Sequence, residues 1–265
     1  MAPTTVYQEG KVNRTIDGIQ VELVPAIGET DDQILIWLPD SKMLCCGDNY
    51  YACLPNLYSI GGGQYRDVSG WIDSLNMMLV YPAEYVLPGH TKALIGREQV
   101  QEVLSNYRDA LECILTETLK GMNRGLSVDA LATAVKLPAE LAELPYLGEF
   151  YGTVGWAVRS IYNAYLGWFD GNPTNLNRMA PREHAVRMLD LIGSSEKALA
   201  EVRRALDHQE PQWAVEVCDL LISAERQTRE AKQLKAEGLM ALSNLETSAN
   251  GRHYYIAYAK RLLED

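Results

Sequence analysis

Residues 28–49, GETDDQILIWLPDSKMLCCGDN, decide how the first part of the chain folds. The apolar runs in this stretch are bounded by turn residues, a pattern typical of buried strands. A possible metal ligand follows each of three such runs: Glu29 comes after VELVPAIG, Asp48 after KMLCCG, and His90 closes the later run EYVLPGH. Polar residues just past strand ends meet where open α/β sheets place their sites. We therefore expect Glu29, Asp48 and His90 to lie together at one edge of a sheet.

The chemistry of these three side chains is compatible with a metal site. Two carboxylates and one imidazole suit a borderline cation such as zinc, and a carboxylate can bridge two such ions. From these residues alone a second interpretation stays open, in which the carboxylates are ordinary loop residues and the histidine is hydrogen-bonded. The five cysteines include no CxxC pair, so neither a thiolate zinc site nor a disulfide framework is predicted.

Composition restricts the classes of function. The chain has 265 residues, 47% of them hydrophobic, which is ample for a sizeable core. Its formal net charge of −11 argues against nucleic-acid binding. No apolar run approaches the roughly 20 residues of a membrane span. The first residues lack the apolar core of an export signal, so the compartment is undetermined and the cytoplasm is the default expectation.

After residue 97 the pattern changes from strands to helices. Apolar residues recur at three- and four-residue steps from Glu98 to Lys120, which predicts one long amphipathic helix. Ser127, Pro181 and Ser194 or Ser195 are placed to begin further helices. The stretch from Trp213 to Leu245 predicts two helices resembling a tetratricopeptide-like hairpin. We therefore predict an α/β part followed by an all-α part.

Several short motifs are spread along the whole chain. They are GET at 28–30, GDN at 47–49, PNLY at 55–58, YRD at 65–67, PGH at 88–90, YGTV at 151–154 and YLGWFDGNPTNL at 165–176. Together they resemble the alkyl sulfatases of the metallo-β-lactamase superfamily, and they look most like the linear primary alkyl sulfatase branch. The similarity extends from about Val6 to the C-terminus. The last motif looks like the family's most distinctive stretch, at the start of its helical dimerisation region.

The resemblance implies a fold and a domain division. Residues 1–104 would be the C-terminal half of an αββα metallo-β-lactamase sandwich, so that the sandwich is partial. Residues 105–265 would be a helical dimerisation domain with tetratricopeptide-like helix pairs, which implies a homodimer. An α/β sandwich without its first half would leave an unpaired sheet edge and an exposed apolar face.

The resemblance also implies site residues. Members of the family carry two zinc ions, and the resemblance implies metal ligands at Glu29, Asp48 and His90. Asp48 matches the carboxylate that bridges the two metals. Asn56 matches a position that contacts the sulfate group, and Tyr151 matches one that lines the substrate pocket. The metal-activated water would be the nucleophile, and no further catalytic residue is assigned.

The sequence departs from the family pattern at three places. The upstream His-x-His-x-Asp-His motif is absent, Gly61 stands where the family commonly has an arginine, and Trp156 stands where many relatives have a histidine. Two hypotheses follow. The chain is either a zinc-dependent alkyl sulfatase of the detergent-degrading type, and then a partial one, or a catalytically inactive fragment or assembly subunit that acts through its helical dimerisation domain.

Overall fold

A computed structural model describes Val6 and residues 10–264 of the chain. Contacts between residues divide it into two compact units, Met1–Gly171 and Asn172–Asp265. The boundary predicted between residues 104 and 105 separates the sandwich domain from the dimerisation domain, and it stays a prediction. In the structure these two residues lie inside one helix, Arg97–Asn123. No helix among the described residues is long and apolar enough to cross a membrane.

The first unit contains a six-stranded sheet. Its strands are β1 (Val12–Ile16), β2 (Ile19–Pro25), β3 (Ile34–Leu38), β4 (Met43–Gly47), β5 (Tyr85–Pro88) and β6 (Leu94–Ile95). Neighbours in the sheet follow chain order, and all pairs are antiparallel except β4 with β5. The turn residues at Gly10, Asn13 and Asp17-Gly18, followed by the alternating run IQVELV, predict a hairpin or edge strand from Tyr7 to Pro25. The hairpin is confirmed for β1 and β2, which turn at Asp17-Gly18. Residues 7–9, on which that prediction also rested, lie outside the described residues.

Two helices cover one face of the sheet. They are α1 (Val68–Val80) and α2 (Arg97–Asn123). Helical spacing of apolar residues predicts the first from the run SGWIDSLNMML at 69–79, as it predicts the second, and both predictions are confirmed. Their buried side chains share one core with alternate residues of the strands: Leu35, Leu44, Cys46, Val86, Trp71, Leu75, Leu104 and Leu111. Trp71 and Leu104 are fully buried there. The sequence therefore forms one sheet layer with its helix layer, as the partial sandwich requires.

The opposite face of the sheet is apolar and open. Ile36 pairs with Leu23 and Cys45, and Cys45 pairs with Leu87, so an apolar row crosses the four central strands. Alongside this row Ile34 is 43% exposed and Ile95 is 64% exposed. Cys45 and Cys46 are adjacent in β4 and point to opposite faces, and a complete α/β sandwich would cover both. In the structure Cys46 is buried, whereas Cys45 is only partly buried, because no second layer lies over its face within residues 10–171.

Eight further α-helices follow within residues 124–264. They are α3 (Val128–Ala134), α4 (Ala139–Ala142), α5 (Val154–Leu166), α6 (Pro181–Ile192), α7 (Ser195–Asp207), α8 (Pro211–Ser223), α9 (Thr228–Leu245) and α10 (Ala249–Glu264). The predicted caps are confirmed: the Ser127 hydroxyl accepts from the Ala130 N–H, and the Ser194 hydroxyl accepts from the Lys197 N–H. The α/β part followed by an all-α part is thus confirmed, whereas the tetratricopeptide-like label stays a prediction.

The second unit is held together by packing between consecutive helices. Its core contains small and branched side chains such as Ala198, Val202 and Leu221. Lys235 on α9 is 8% exposed; it forms an ion pair with Asp219 of α8 and lies 4.9 Å from the centre of the Tyr258 ring of α10. A buried ammonium group requires such partners, because its charge is costly to remove from water.

One aromatic residue lies in an unexpected place. Trp168 follows α5, and a large aromatic residue at this place is predicted to pack in the core. That prediction is wrong, because Trp168 is 72% exposed. Its ring contacts only the edge of Phe169 among the aromatic rings of the described residues, with ring centres 5.9 Å apart. Gly167 and Gly171, on either side of it, both have positive φ, a conformation that glycine adopts readily.

Candidate functional site

The three predicted metal ligands lie at one edge of the sheet. Strands β2, β4 and β5 run in the same direction, because β3 is antiparallel to both β2 and β4 while β5 is parallel to β4. Glu29 follows β2, Asp48 follows β4, and His90 follows β5. Their side chains line one cavity of about 270 Å³ together with Tyr51, Cys53, Thr91 and Tyr151. The expected convergence of these three residues is therefore observed.

Asp48 and His90 are hydrogen-bonded to each other. The distance from Asp48 Oδ1 to His90 Nδ1 is 2.7 Å, and the hydrogen bond raises the pKa of the imidazole above its usual value. Two glycines allow this approach. The Gly89 N–H donates to the Gly47 carbonyl at 2.7 Å, and a Cβ on Gly89 would stand only 2.6 Å from Asp48 Oδ1. The two loop ends are therefore packed backbone against backbone.

Glu29 is held by a cation from the same unit. Arg66 donates a hydrogen bond from Nη1 to Glu29 Oε1, and the two side chains are only 15% and 13% exposed. Burial raises the pKa of Glu29, the positive charge of Arg66 opposes that rise, and the neighbouring Asp48 adds to it. The carboxylates of Glu29 and Asp48 therefore repel each other across the cavity. Binding of a proton or a cation between them would relieve this repulsion.

The side chains of Glu29, Asp48 and His90 are of the types that bind a divalent cation. A catalytic zinc site uses about three protein ligands and keeps one position open, with carboxylate oxygens and imidazole nitrogens among its usual donors. No group of three His, Cys, Asp or Glu within residues 10–264 is arranged to hold an ion in this conformation. The contacts give the reason: the Glu29 carboxylate is hydrogen-bonded to Arg66, and the Asp48 carboxylate is hydrogen-bonded to His90. A metal ion would have to displace these two contacts.

The two predicted substrate residues flank this cavity. Tyr151 lines it directly, and its ring meets the edge of the Tyr51 ring with centres 6.0 Å apart. Asn56 is 2% exposed; its N–H donates to the Tyr51 hydroxyl at 2.8 Å, and its side-chain Oδ1 is buried without a hydrogen-bond partner among the described residues. An unpaired buried amide is costly, and such groups mark places where a ligand completes the hydrogen bonding.

The sequence interpretation missed three residues at this site. Cys53 lines the cavity, and burial raises the pKa of its thiol to about 11. Thr91 has φ of 70°, a left-handed conformation that costs such a residue about 1–3 kcal/mol, and its hydroxyl accepts from the Ala52 N–H at 3.0 Å. Arg66 is near Gly61 in sequence but does not stand at the position of the family's arginine, so no role was assigned to it. Its position in the YRD motif was the one available signal.

The loop after Asn56 explains one departure from the family pattern. Gly61 and Gly62 have φ of 98° and 120°, values that L side chains rarely adopt. An arginine at position 61 would therefore be strained in this loop. Arg66 reaches the same neighbourhood from five residues further on, since its Nη1 also donates to the backbone carbonyl of Asn56.

Comparison with known proteins identifies the family. A family model described as alkyl sulfatase dimerisation matches residues 127–265, more than half of the chain. The chain therefore belongs to the alkyl sulfatase family. The resemblance drawn from its motifs is confirmed.

Individual relatives agree with this assignment. A linear primary-alkylsulfatase from a Pseudomonas species is 35% identical over 264 residues, which is 99% of this chain and 50% of the relative. An (R)-specific secondary-alkylsulfatase from Pseudomonas sp. is 29% identical over 99% of this chain and 40% of its own length. The solved structure of the stereoselective inverting sec-alkylsulfatase Pisa1 from Pseudomonas sp. superposes with a TM-score of 0.93 at 29% identity, covering 99% of this chain and 42% of that chain. The chain thus spans half or less of the length of these relatives.

Proposed function

We propose that this chain contributes to the zinc-dependent hydrolysis of alkyl sulfate esters and carries part of the active site for it. The observation that supports this most is the convergence of Glu29, Asp48 and His90 on one cavity, at the ends of three strands that run in the same direction, in a member of the alkyl sulfatase family. Primary alkyl sulfates are the proposed substrates, because the 35%-identical relative is a linear primary-alkylsulfatase.

Glu29, Asp48 and His90 would hold the metal, with Asp48 as the carboxylate shared between two ions. Zinc supplies Lewis acidity, which activates water and neutralises the charge of a sulfate ester. A site for two ions needs more ligands than these three residues provide. We therefore propose that the chain acts as a partial enzyme and that the remaining ligands come from a second copy of the chain in a homodimer.

Other residues of the cavity would act on the substrate. Tyr151 lies beside the proposed metal ligands and would line the path of the alkyl chain. After rotation of its amide, Asn56 would donate a hydrogen bond from Nδ2 to a sulfate oxygen of the ester, because the buried Oδ1 can only accept.

A second function is supported by different observations. Both carboxylates already have cationic or hydrogen-bonding partners, Arg66 and His90, and the sequence has four histidines with no His-x-His-x-Asp-His motif. The matched family model describes dimerisation. In this alternative the chain forms a homodimer through residues 127–265 and serves as an inactive assembly subunit.

Sulfate release separates the two proposals. We expect the purified chain to release sulfate from dodecyl sulfate only when zinc is supplied, and Asp48→Ala to abolish the release because it removes the shared carboxylate. Asp40→Ala is the matched control, since Asp40 lies in an exposed turn away from the cavity. A folded dimer that releases no sulfate with zinc present would favour the assembly subunit.

A further inference from the structure

Cys53 lines the same cavity as the three proposed metal ligands. Zinc in proteins is mostly bound by four ligands, and thiolate sulfur is among its usual donors. Glu29, Asp48 and His90 supply three donors from this chain. Among the other described residues that line the cavity, Cys53 alone is of a type that commonly binds zinc. The fold therefore places a fourth possible donor beside the other three.

The backbone holds Cys53 at this cavity from both sides. The Ala52 N–H donates to the Thr91 hydroxyl at 3.0 Å, which ties the segment to the loop after β5. The Leu54 N–H donates to the Gly148 carbonyl at 2.9 Å. Because both neighbours of Cys53 are anchored, its thiol can reach an ion in the cavity by side-chain rotation alone.

The Cys53 thiol is also free of competing contacts. It is only partly buried, and it forms no hydrogen bond with any of the described residues. The Cys46 thiol, in contrast, lies 3.7 Å from the Gly47 carbonyl oxygen and 3.6 Å from that of Leu87. An ion in the cavity would therefore gain the sulfur of Cys53 without breaking a hydrogen bond, whereas each of the two carboxylates must give one up.

A buried hydroxyl close to Cys53 supports the same role. Tyr107 on α2 is fully buried, and its hydroxyl proton has no acceptor among the described residues. The Tyr107 hydroxyl lies close enough to Cys53 for the charges of the two groups to interact. An unpaired buried hydroxyl is costly, and hydrogen bonds to the ligands of a metal ion orient them. A thiolate at Cys53 would offer Tyr107 the acceptor that it lacks.

We propose that Cys53 is a further ligand of the metal ion held by Glu29, Asp48 and His90, and that its sulfur selects a thiophilic cation. The thiol gives its proton to solvent as the metal–sulfur bond forms, because a divalent cation strongly favours the thiolate. Thiolate ligands favour zinc, whereas magnesium and manganese favour sites made of oxygen ligands. The assignment rests on the proposed metal site and not on the proposed hydrolysis.

Titration of the full reduced chain with cobalt(II), followed by absorption spectroscopy, tests this assignment. A cobalt–thiolate bond gives an intense charge-transfer band in the near ultraviolet that oxygen and nitrogen ligands do not give. We expect this band in the original chain and its loss in Cys53→Ser and Cys53→Ala, which should bind cobalt about ten-fold more weakly or worse. Asp48→Ala should lose the band as well, because it loses the ion.

Cys113→Ser is the matched control and should keep the band, because Cys113 is also partly buried but lines a different cavity. The inference is overturned if cobalt binds to the original chain without the band, or if the band persists in folded Cys53→Ser and Cys53→Ala. It is also overturned if manganese displaces cobalt as readily as zinc does. A Cys53-dependent band in a chain that releases no sulfate would refute the proposed hydrolysis alone, whereas sulfate release without the band would refute the ligand assignment alone.

Discussion

Replacing Gly152 by alanine should lower the free energy of unfolding by about 4 kcal/mol or more, a loss reserved for severe structural conflicts. A Cβ at this position would collide with the Pro55 carbonyl, standing 2.7 Å from Pro55 C and 2.8 Å from Asn56 Cα. These are backbone atoms, so no side-chain rotation relieves the conflict. The same backbones are joined by hydrogen bonds from Leu54 N–H to the Gly148 carbonyl and from Gly152 N–H to the Leu54 carbonyl.

Urea denaturation of Gly152→Ala measures this loss. The matched control is Gly155→Ala in α5, where the nearest atom to an added Cβ is the Ala132 carbonyl oxygen at 3.6 Å. That variant should change the free energy of unfolding by no more than about 1 kcal/mol. Equal stability of the two variants would contradict the close backbone packing that places Asn56 beside Tyr151.

Alanine at Gly28 should cost up to about 3 kcal/mol, and a second substitution should recover part of it. An added Cβ would overlap Asn49 Oδ1 and lie 2.7 Å from Asn49 Cγ. Asn49 is fully buried, its Nδ2 donates to the Ala26 carbonyl at 3.3 Å, and its own carbonyl accepts from Trp71 Nε1 at 2.9 Å. The amide therefore has no room to move away.

A double-mutant cycle tests this contact. Asn49→Ala alone should cost about 1–3 kcal/mol, because it leaves the Ala26 carbonyl unpaired. In the double variant the new methyl group of residue 28 occupies the vacated space, so the combined loss should be at least about 1 kcal/mol smaller than the sum of the single losses. Additive losses would show that Gly28 and Asn49 do not press against each other. Because Gly28 precedes Glu29 and Asn49 follows Asp48, the single variants should also weaken zinc binding.

Much of the fold could be predicted because it depends on local patterns. Apolar runs bounded by turn residues located β3, β4 and β5, and three- and four-residue periodicity located α1 and α2. The direction of the strands was then inferred from the polar residue that follows each apolar run. The tight approach of Gly89 to Asp48 left no such signal, since it depends on which strands become neighbours.

The rest of the site could not be predicted because it depends on contacts distant in sequence. Arg66 meets Glu29 across 37 positions, and no periodicity or motif spacing indicates that pairing. The left-handed conformation of Thr91 is set by its surroundings, against its own preference. The exposure of Trp168 could not be predicted because a large aromatic residue is usually buried, and here it lies 72% exposed between two glycines with positive φ.

Zinc binding by the purified chain tests the central claim most directly. The account predicts about one or more zinc ions per chain after dialysis, held by the three donors at the strand ends. Asp48→Ala should lose this zinc, and Asp40→Ala should retain it. A folded chain that binds no zinc, or an Asp48→Ala variant that binds as much as the original, would contradict the account.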